Sequence, residues 1–201
     1  KHVDIDYAGN VENGPPAFGF DYSFVTPGSL DIPPYVFVEN GRVSAMPDRC
    51  TGIDDFMQVI RSGGQEAEEV RLTKWPRGET GADYDMMQVV PETADRVLQV
   101  IDEYSSRKEP FFVYYPIHAP HTPCLPTPEF TGKSGIGPYG DMVLMIDDIV
   151  GRIIEKLQEK GVYDNTVFIF TSDNGSCQNF PEEGHSSNYM YRGMKSDIWD
   201  G

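Results

Sequence analysis

Thr171-Ser172-Asp173-Asn174-Gly175 directly follows the apolar run Val167-Phe168-Ile169-Phe170. A run of that length bounded by turn residues reads as a buried strand. Its carboxyl end then carries a carboxylate and a carboxamide, hard oxygen donors that suit Ca²⁺ or Mg²⁺ rather than zinc. Asp173 and Asn174 are therefore candidate metal ligands, although such an ion takes roughly six to eight oxygens and these two complete no shell. Asp and Asn-Gly are also favoured in tight turns for local reasons, so a plain turn is the competing reading.

A second apolar run, Phe111-Phe112-Val113-Tyr114-Tyr115, leads into Pro116-Ile117-His118-Ala119-Pro120-His121-Thr122-Pro123. Zinc needs three or four ligands, and no cluster near the two histidines completes a set. His118 reads by default as a loop histidine, with a substrate contact as its functional reading. His121 is the stronger candidate for chemistry, because the neighbouring prolines fix its backbone. A protonated imidazole there would stabilise an anion or protonate a leaving oxygen. Further on stand Arg192 and Lys195, cations that are otherwise ordinary surface residues. His185, in Gly184-His185-Ser186-Ser187-Asn188, is a further substrate-side candidate.

These residues need a frame. Ala94, Val97, Leu98, Ile101 and Tyr104 fall at helical spacing, with Pro91 and Thr93 placed to open the helix. Met142, Met145, Ile146, Ile149, Ile153 and Leu157 share one face of a second helix over roughly 138–160, which Gly161 stops. The order helix, strand, helix, strand predicts a βαβ unit with 111–115 and 166–171 parallel in one sheet. Both strand ends would then lie on one rim, where ligands of open α/β folds sit. Residues 1–90 are rich in Pro, Gly and aromatics and read as long ordered loops. Among them, 34–43 is expected to form a short hairpin around Asn40-Gly41.

Composition bounds the function. With 32 acidic and 16 basic residues in 201, the net charge is −16, spread along the chain without blocks. Nucleic acid and anionic membrane surfaces call for basic patches, so neither is an expected partner. No stretch has the apolar length of a transmembrane helix, and the start does not read as a signal peptide. The three cysteines, Cys50, Cys124 and Cys177, are too few and too irregular for a disulfide framework or a structural zinc site. Both ends read as cut from something longer.

Several phrases together resemble a known family. They are Gly19-Phe20-Asp21-Tyr22, Pro110-Phe111-Phe112-Val113-Tyr114-Tyr115 with His118 and Pro120-His121-Thr122-Pro123, Gly140-Asp141, Thr171-Ser172-Asp173-Asn174-Gly175, and Arg192-Gly193-Met194-Lys195 followed by Trp199-Asp200-Gly201. In this order and spacing the chain resembles the arylsulfatase-type sulfatases of the alkaline-phosphatase-like superfamily.

The resemblance implies an incomplete α/β fold with a mixed, largely parallel sheet flanked by helices. Residues 1–90 would be its loop-rich substrate side and 91–201 its core segment. It further implies calcium at Asp173 and Asn174 (magnesium being the alternative), and sulfate contacts from His121 and Lys195. His118, His185 and Arg192 fall to the substrate side. The implied activity is hydrolysis of an aryl or carbohydrate sulfate ester by a formylglycine made from Cys or Ser in Cys/Ser-x-Pro/Ala-x-Arg.

That motif does not occur here. Cys124-Leu125-Pro126-Thr127-Pro128 approaches it, but Pro128 stands where arginine is required. The formylglycine is expected upstream, and the chain alone is expected to be inactive. Lys1-His2 could stand in for a further cation pair, an assignment the neighbouring Asp4-Ile5-Asp6-Tyr7 does not favour. The complete protein is expected in a periplasm or outside the cell. Phosphate-ester hydrolysis on the same scaffold, or a non-catalytic relative, are the alternatives, since a fold does not fix its substrate.

Overall fold

A computed structural model describes residues 5–62, 76–176 and 184–199. Strands β1 (Phe24–Val25), β2 (Val38–Glu39) and β3 (Arg42–Val43) form an antiparallel sheet in that order. The expected hairpin is present: β2 and β3 pair Val38 with Val43 and Glu39 with Arg42. Asn40 and Gly41 carry the turn at φ of 50° and 81°, the double positive φ that a two-residue hairpin turn needs.

A second antiparallel pair, β4 (Pro47–Thr51) with β5 (Gly78–Gly81), has no apolar alternation to announce it. α1 (Ile53–Ser62) follows β4 and begins with Asp54 and Asp55, which suit the positive end of a helix. Around these elements Leu30, Tyr35, Phe37, Phe56, Tyr84, Met86, Val89 and Leu125 form one apolar cluster.

The larger cluster belongs to α2 (Val89–Tyr104) and α3 (Pro138–Glu159). Ala94, Val97 and Ile101 of α2 share it with Met142, Met145, Ile146, Ile149, Ile153 and Leu157 of α3. α3 ends as its sequence predicts. Gly161 at φ 67° donates to Gln158 O, and Val162 donates to Leu157 O, the double bond pattern of a glycine-terminated helix.

The predicted βαβ unit is not formed. Neither 111–115 nor 166–171 is a strand, and every strand pair among the described residues is antiparallel. Residues 111–117 nonetheless alternate with period two: Phe111, Val113, Tyr115 and Ile117 pack on the helical cluster. Phe112 and Tyr114 point out, 77% and 68% exposed. Val167 and Ile169, expected in a buried strand, are 87% and 79% exposed. An apolar run shows that a segment suits burial; it does not say which backbone supplies its hydrogen bonds. No strand among the described residues pairs with either segment. Among the described residues no helix is long and apolar enough to cross a membrane.

The start of α3 is fixed by the Gly140-Asp141 phrase. Asp141 is buried, with both carboxylate oxygens used: Gly132 N donates to Oδ2 at 2.7 Å and Ser134 N to Oδ1 at 2.8 Å. The loop 132–136 is thereby folded over the first helical turn, so closely that a Cβ on Gly140 would collide with Ile136. Asp141→Ala removes two hydrogen bonds to a charged acceptor and strands two amides. It should cost about 3 kcal/mol in denaturant unfolding, with Asp141→Asn losing less.

Candidate functional site

The segment 118–126 lies between the two apolar clusters. Ala119 and Cys124 belong to the helical cluster and Leu125 to the other, while Pro123 and Pro126 are fully buried. Leu125 N also donates to Met142 Sδ at 3.0 Å, tying the segment to α3. His121 N bonds back to His118 O at 3.1 Å, so the two histidines sit on one tight turn.

Their environments differ. His118 is half-buried, its Nε2 lies 2.7 Å from Thr26 Oγ1, and its Nδ1 is closed off without a partner. Burial pushes its pKa down, opposed by the Gly28 carbonyl and assisted by the neighbouring His121. His121 is exposed, with Nδ1 2.6 Å from the Thr122 carbonyl and 3.4 Å from Ser29 Oγ. The short segment Thr26-Pro27-Gly28-Ser29 thus holds one side of each ring. Thr26 and Ser29 escaped the sequence reading because residues 92 positions away in sequence share no local pattern. The Pro27-Gly28 between them is ordinary turn-forming sequence.

A second group gathers around Ser176. Its amide donates to Asn188 Oδ1 at 3.0 Å, and Asn188 Nδ2 donates to Gly193 O at 2.8 Å. Lys195 N donates to Ser176 O at 3.2 Å, and Ser176 Oγ lies 3.2 Å from the Tyr139 hydroxyl. The backbone of Lys195 is therefore fixed two residues beyond Asn174. His185 joins this group, its ring centroid 6.5 Å from that of Tyr139. Arg192 is turned instead to Trp199, its guanidinium carbon 3.4 Å from the ring centroid, a cation–π stack that engages its charge within the chain. The linking residue Asn188 has no sequence signal that would have found it.

Asp173 and Asn174 are exposed. Ser172 Oγ donates to Asn174 O at 2.7 Å, and Asn174 Nδ2 donates to Gly175 O at 2.9 Å. The Asn174 amide nitrogen is thus turned to its own backbone. The pair fits a hard cation in donor type, as two ligands of a larger set. Among the described residues no cluster of three or more His, Cys, Asp or Glu exists to complete it.

The two groups attach to one element. Tyr139 and Met142 lie three residues apart, hence neighbours on one face of α3, and anchor the Ser176 group and the histidine segment respectively. Among the described residues no hydrogen bond or ion pair joins His118 or His121 to Asp173, Asn174 or Lys195. The shared rim expected from parallel strands is replaced by this shared helical turn.

Cys124 does not fit the nucleophile. Its side chain is 3% exposed within the helical cluster, with Sγ 3.7 Å from Pro120 O. Lys1 and His2 lie outside the described residues.

Comparison with known proteins agrees with the motifs. The Sulfatase family model matches residues 15–199. An N-acetylgalactosamine-6-O-sulfatase of Bacteroides thetaiotaomicron is 31% identical over 97% of this chain and 43% of its own length. The human N-acetylgalactosamine-6-sulfatase is 41% identical over 48% of the chain and 19% of its own length. A solved Bacteroides thetaiotaomicron structure, described under metabolism of multiple glycosaminoglycans, superposes with a TM-score of 0.76 at 30% identity. It covers 96% of this chain and 46% of its own. The chain spans under half the length of these relatives. Its class is α/β, of the alkaline-phosphatase-like kind, and the chain belongs to the sulfatase family.

Proposed function

We propose that the complete protein hydrolyses a carbohydrate sulfate ester, with 6-sulfated N-acetylgalactosamine as the first substrate to try. The observation that carries this reading is the match to a relative named for that reaction across 97% of the chain. Residues 1–201 supply the central part of the catalytic domain, and the exposed faces of 111–115 and 166–171 are strands completed by sequence outside them. The nucleophile also lies outside, since Cys124 is a core residue.

Within the chain, Asp173 and Asn174 would hold calcium, magnesium being the alternative. Once bound, the ion supplies positive charge to the sulfate oxygens. Lys195 would contribute a second cation, its backbone N–H hydrogen-bonded to Ser176 O two residues beyond that pair. The sequence reading favours His121 for the sulfate. His118, whose ring Thr26 and burial hold in place, stands beside it on the substrate side. His185 stands with the Ser176 group on the substrate side. Arg192, engaged by Trp199, orders the Lys195 segment rather than the substrate. Donors fixed before the reaction stabilise developing charge without reorganising. A secreted or periplasmic location and sulfated-sugar partners accompany this reading.

The test is the purified complete protein with calcium, offered 6-sulfated N-acetylgalactosamine, an aryl sulfate and an aryl phosphate. Inorganic sulfate should be released from the first at the highest kcat/KM. Hydrolysis of the phosphate alone would overturn the reading.

A further inference from the structure

Asn188 is half-buried between two stretches of backbone that lie apart in the chain. Its Oδ1 accepts from the Ser176 amide at 3.0 Å, and its Nδ2 donates to the Gly193 carbonyl at 2.8 Å. Each partner can play one role only, since a backbone N–H donates and a carbonyl accepts. The carboxamide is thereby fixed in one orientation: turned over, it would set oxygen against oxygen and N–H against N–H. Lys195 N closes the ring by donating to Ser176 O at 3.2 Å. Ser176, two residues past Asn174, is thus tied to Gly193 and Lys195 by three hydrogen bonds.

The far end is shaped to receive this tie. Gly193 has φ of 99°, and a Cβ there would lie 2.9 Å from Trp199 Cβ, both of which favour glycine. Beyond it, Met194 N donates to Asp197 Oδ2 at 3.1 Å and Asp197 N to Met194 O at 2.9 Å, closing a turn that contains Lys195. The near end has its own anchor, because Ser176 Oγ lies 3.2 Å from the Tyr139 hydroxyl of α3. Without the carboxamide, Ser176 keeps its place on the helix, while the Lys195 turn is left with one backbone bond to it.

We infer that Asn188 is a positioning residue whose carboxamide couples the backbone carrying Asp173 and Asn174 to the backbone carrying Lys195, so that the two are set relative to each other before substrate arrives. The inference rests on the metal and sulfate roles proposed above for those residues. A carboxylate at this position could accept from Ser176 but has nothing to donate to Gly193, and alanine can do neither. Groups held in place ahead of the reaction serve the transition state more than ground-state binding.

The experiment uses the complete protein. In Asn188→Ala, hydrogen exchange at the Ser176 amide, read by mass spectrometry without calcium or substrate, should speed up at least about tenfold, while the amides of α3 keep their rates. With calcium, kcat on a sulfate ester should fall about tenfold to a hundredfold and KM should change less. Because Asn188 acts through Lys195, adding Asn188→Ala to Lys195→Ala should cost no more than about a further threefold. Asn188→Asp is the second variant: it keeps the Ser176 amide protected, gives Gly193 no donor, and should still lose kcat. Unchanged Ser176 exchange in Asn188→Ala, an undiminished kcat in Asn188→Asp, or losses that multiply in the double variant overturn the inference. If exchange speeds up while Lys195→Ala leaves kcat unchanged, the coupling stands and the sulfate contact of Lys195 fails.

Discussion

Lys195→Ala should lower kcat about a hundredfold, roughly 2.7 kcal/mol of transition-state stabilisation, and should do so equally for sulfate esters of unlike alcohols. The long-range field of a chain with net charge −16 opposes an anionic substrate, so short-range cations must offset it. Lys195 is the proposed cation for this role, its backbone N–H donating to Ser176 O, two residues beyond Asn174. His121→Ala should fall by a similar factor. His118→Ala should lose only severalfold, since one ring nitrogen already meets Thr26 and the other is closed off. Donors that meet charge developing in the transition state change kcat more than KM. Steady-state kinetics of the three alanine variants on two sulfate esters decide the matter. A loss confined to one ester would move the residue to the leaving group. A loss in KM alone would make it a ground-state binder, and a hundredfold loss in His118→Ala with none in His121→Ala would move the sulfate contact to His118.

What the sequence made legible follows the range of the forces involved. α2, α3 and the glycine stop at Gly161 depend on residues three or four apart, and each lies within a residue or two of its expected place. The Asn40-Gly41 hairpin is equally local. The βαβ unit was a different kind of inference, because pairing belongs to two distant backbones. Residues 111–117 keep the period-two alternation of a strand and bury one face on the helices, yet pair with no strand among the described residues. β4 stayed invisible for the opposite reason. Pro47, Asp48 and Arg49 carry no apolar period, and pairing with β5 holds the strand in place.

The candidate site divides the same way. The residue types at 118, 121, 173, 174 and 195 named a plausible chemistry, because hard oxygens, imidazoles and cations advertise what they bind. Their supports did not. Thr26, Asn188 and the Tyr139 hydroxyl act across long stretches of chain and are common residues with no motif of their own. Arg192 illustrates the limit most sharply: its stack on Trp199 is invisible in a list of charges.

Asp173→Ala should weaken calcium binding by the complete protein more than about a hundredfold and remove most of its activity at submillimolar calcium. Substituting residues that merely support metal ligands costs roughly tenfold to a hundredfold in affinity, and a direct carboxylate ligand should exceed that. The carboxylate supplies a negative charge that a replacing water does not. Asn174→Ala loses a neutral oxygen and should be milder. Net charge is the confounder, because any lost acid alters the field of so acidic a chain. Asp148→Ala, which removes an exposed acid from the middle of α3, controls for it and should leave calcium affinity unchanged. Titration calorimetry of the three variants separates the possibilities independently of catalysis. If Asp173→Ala binds calcium as the unsubstituted protein does, the Asp173-Asn174-Gly175 segment is a turn favoured for local reasons, and the metal belongs elsewhere.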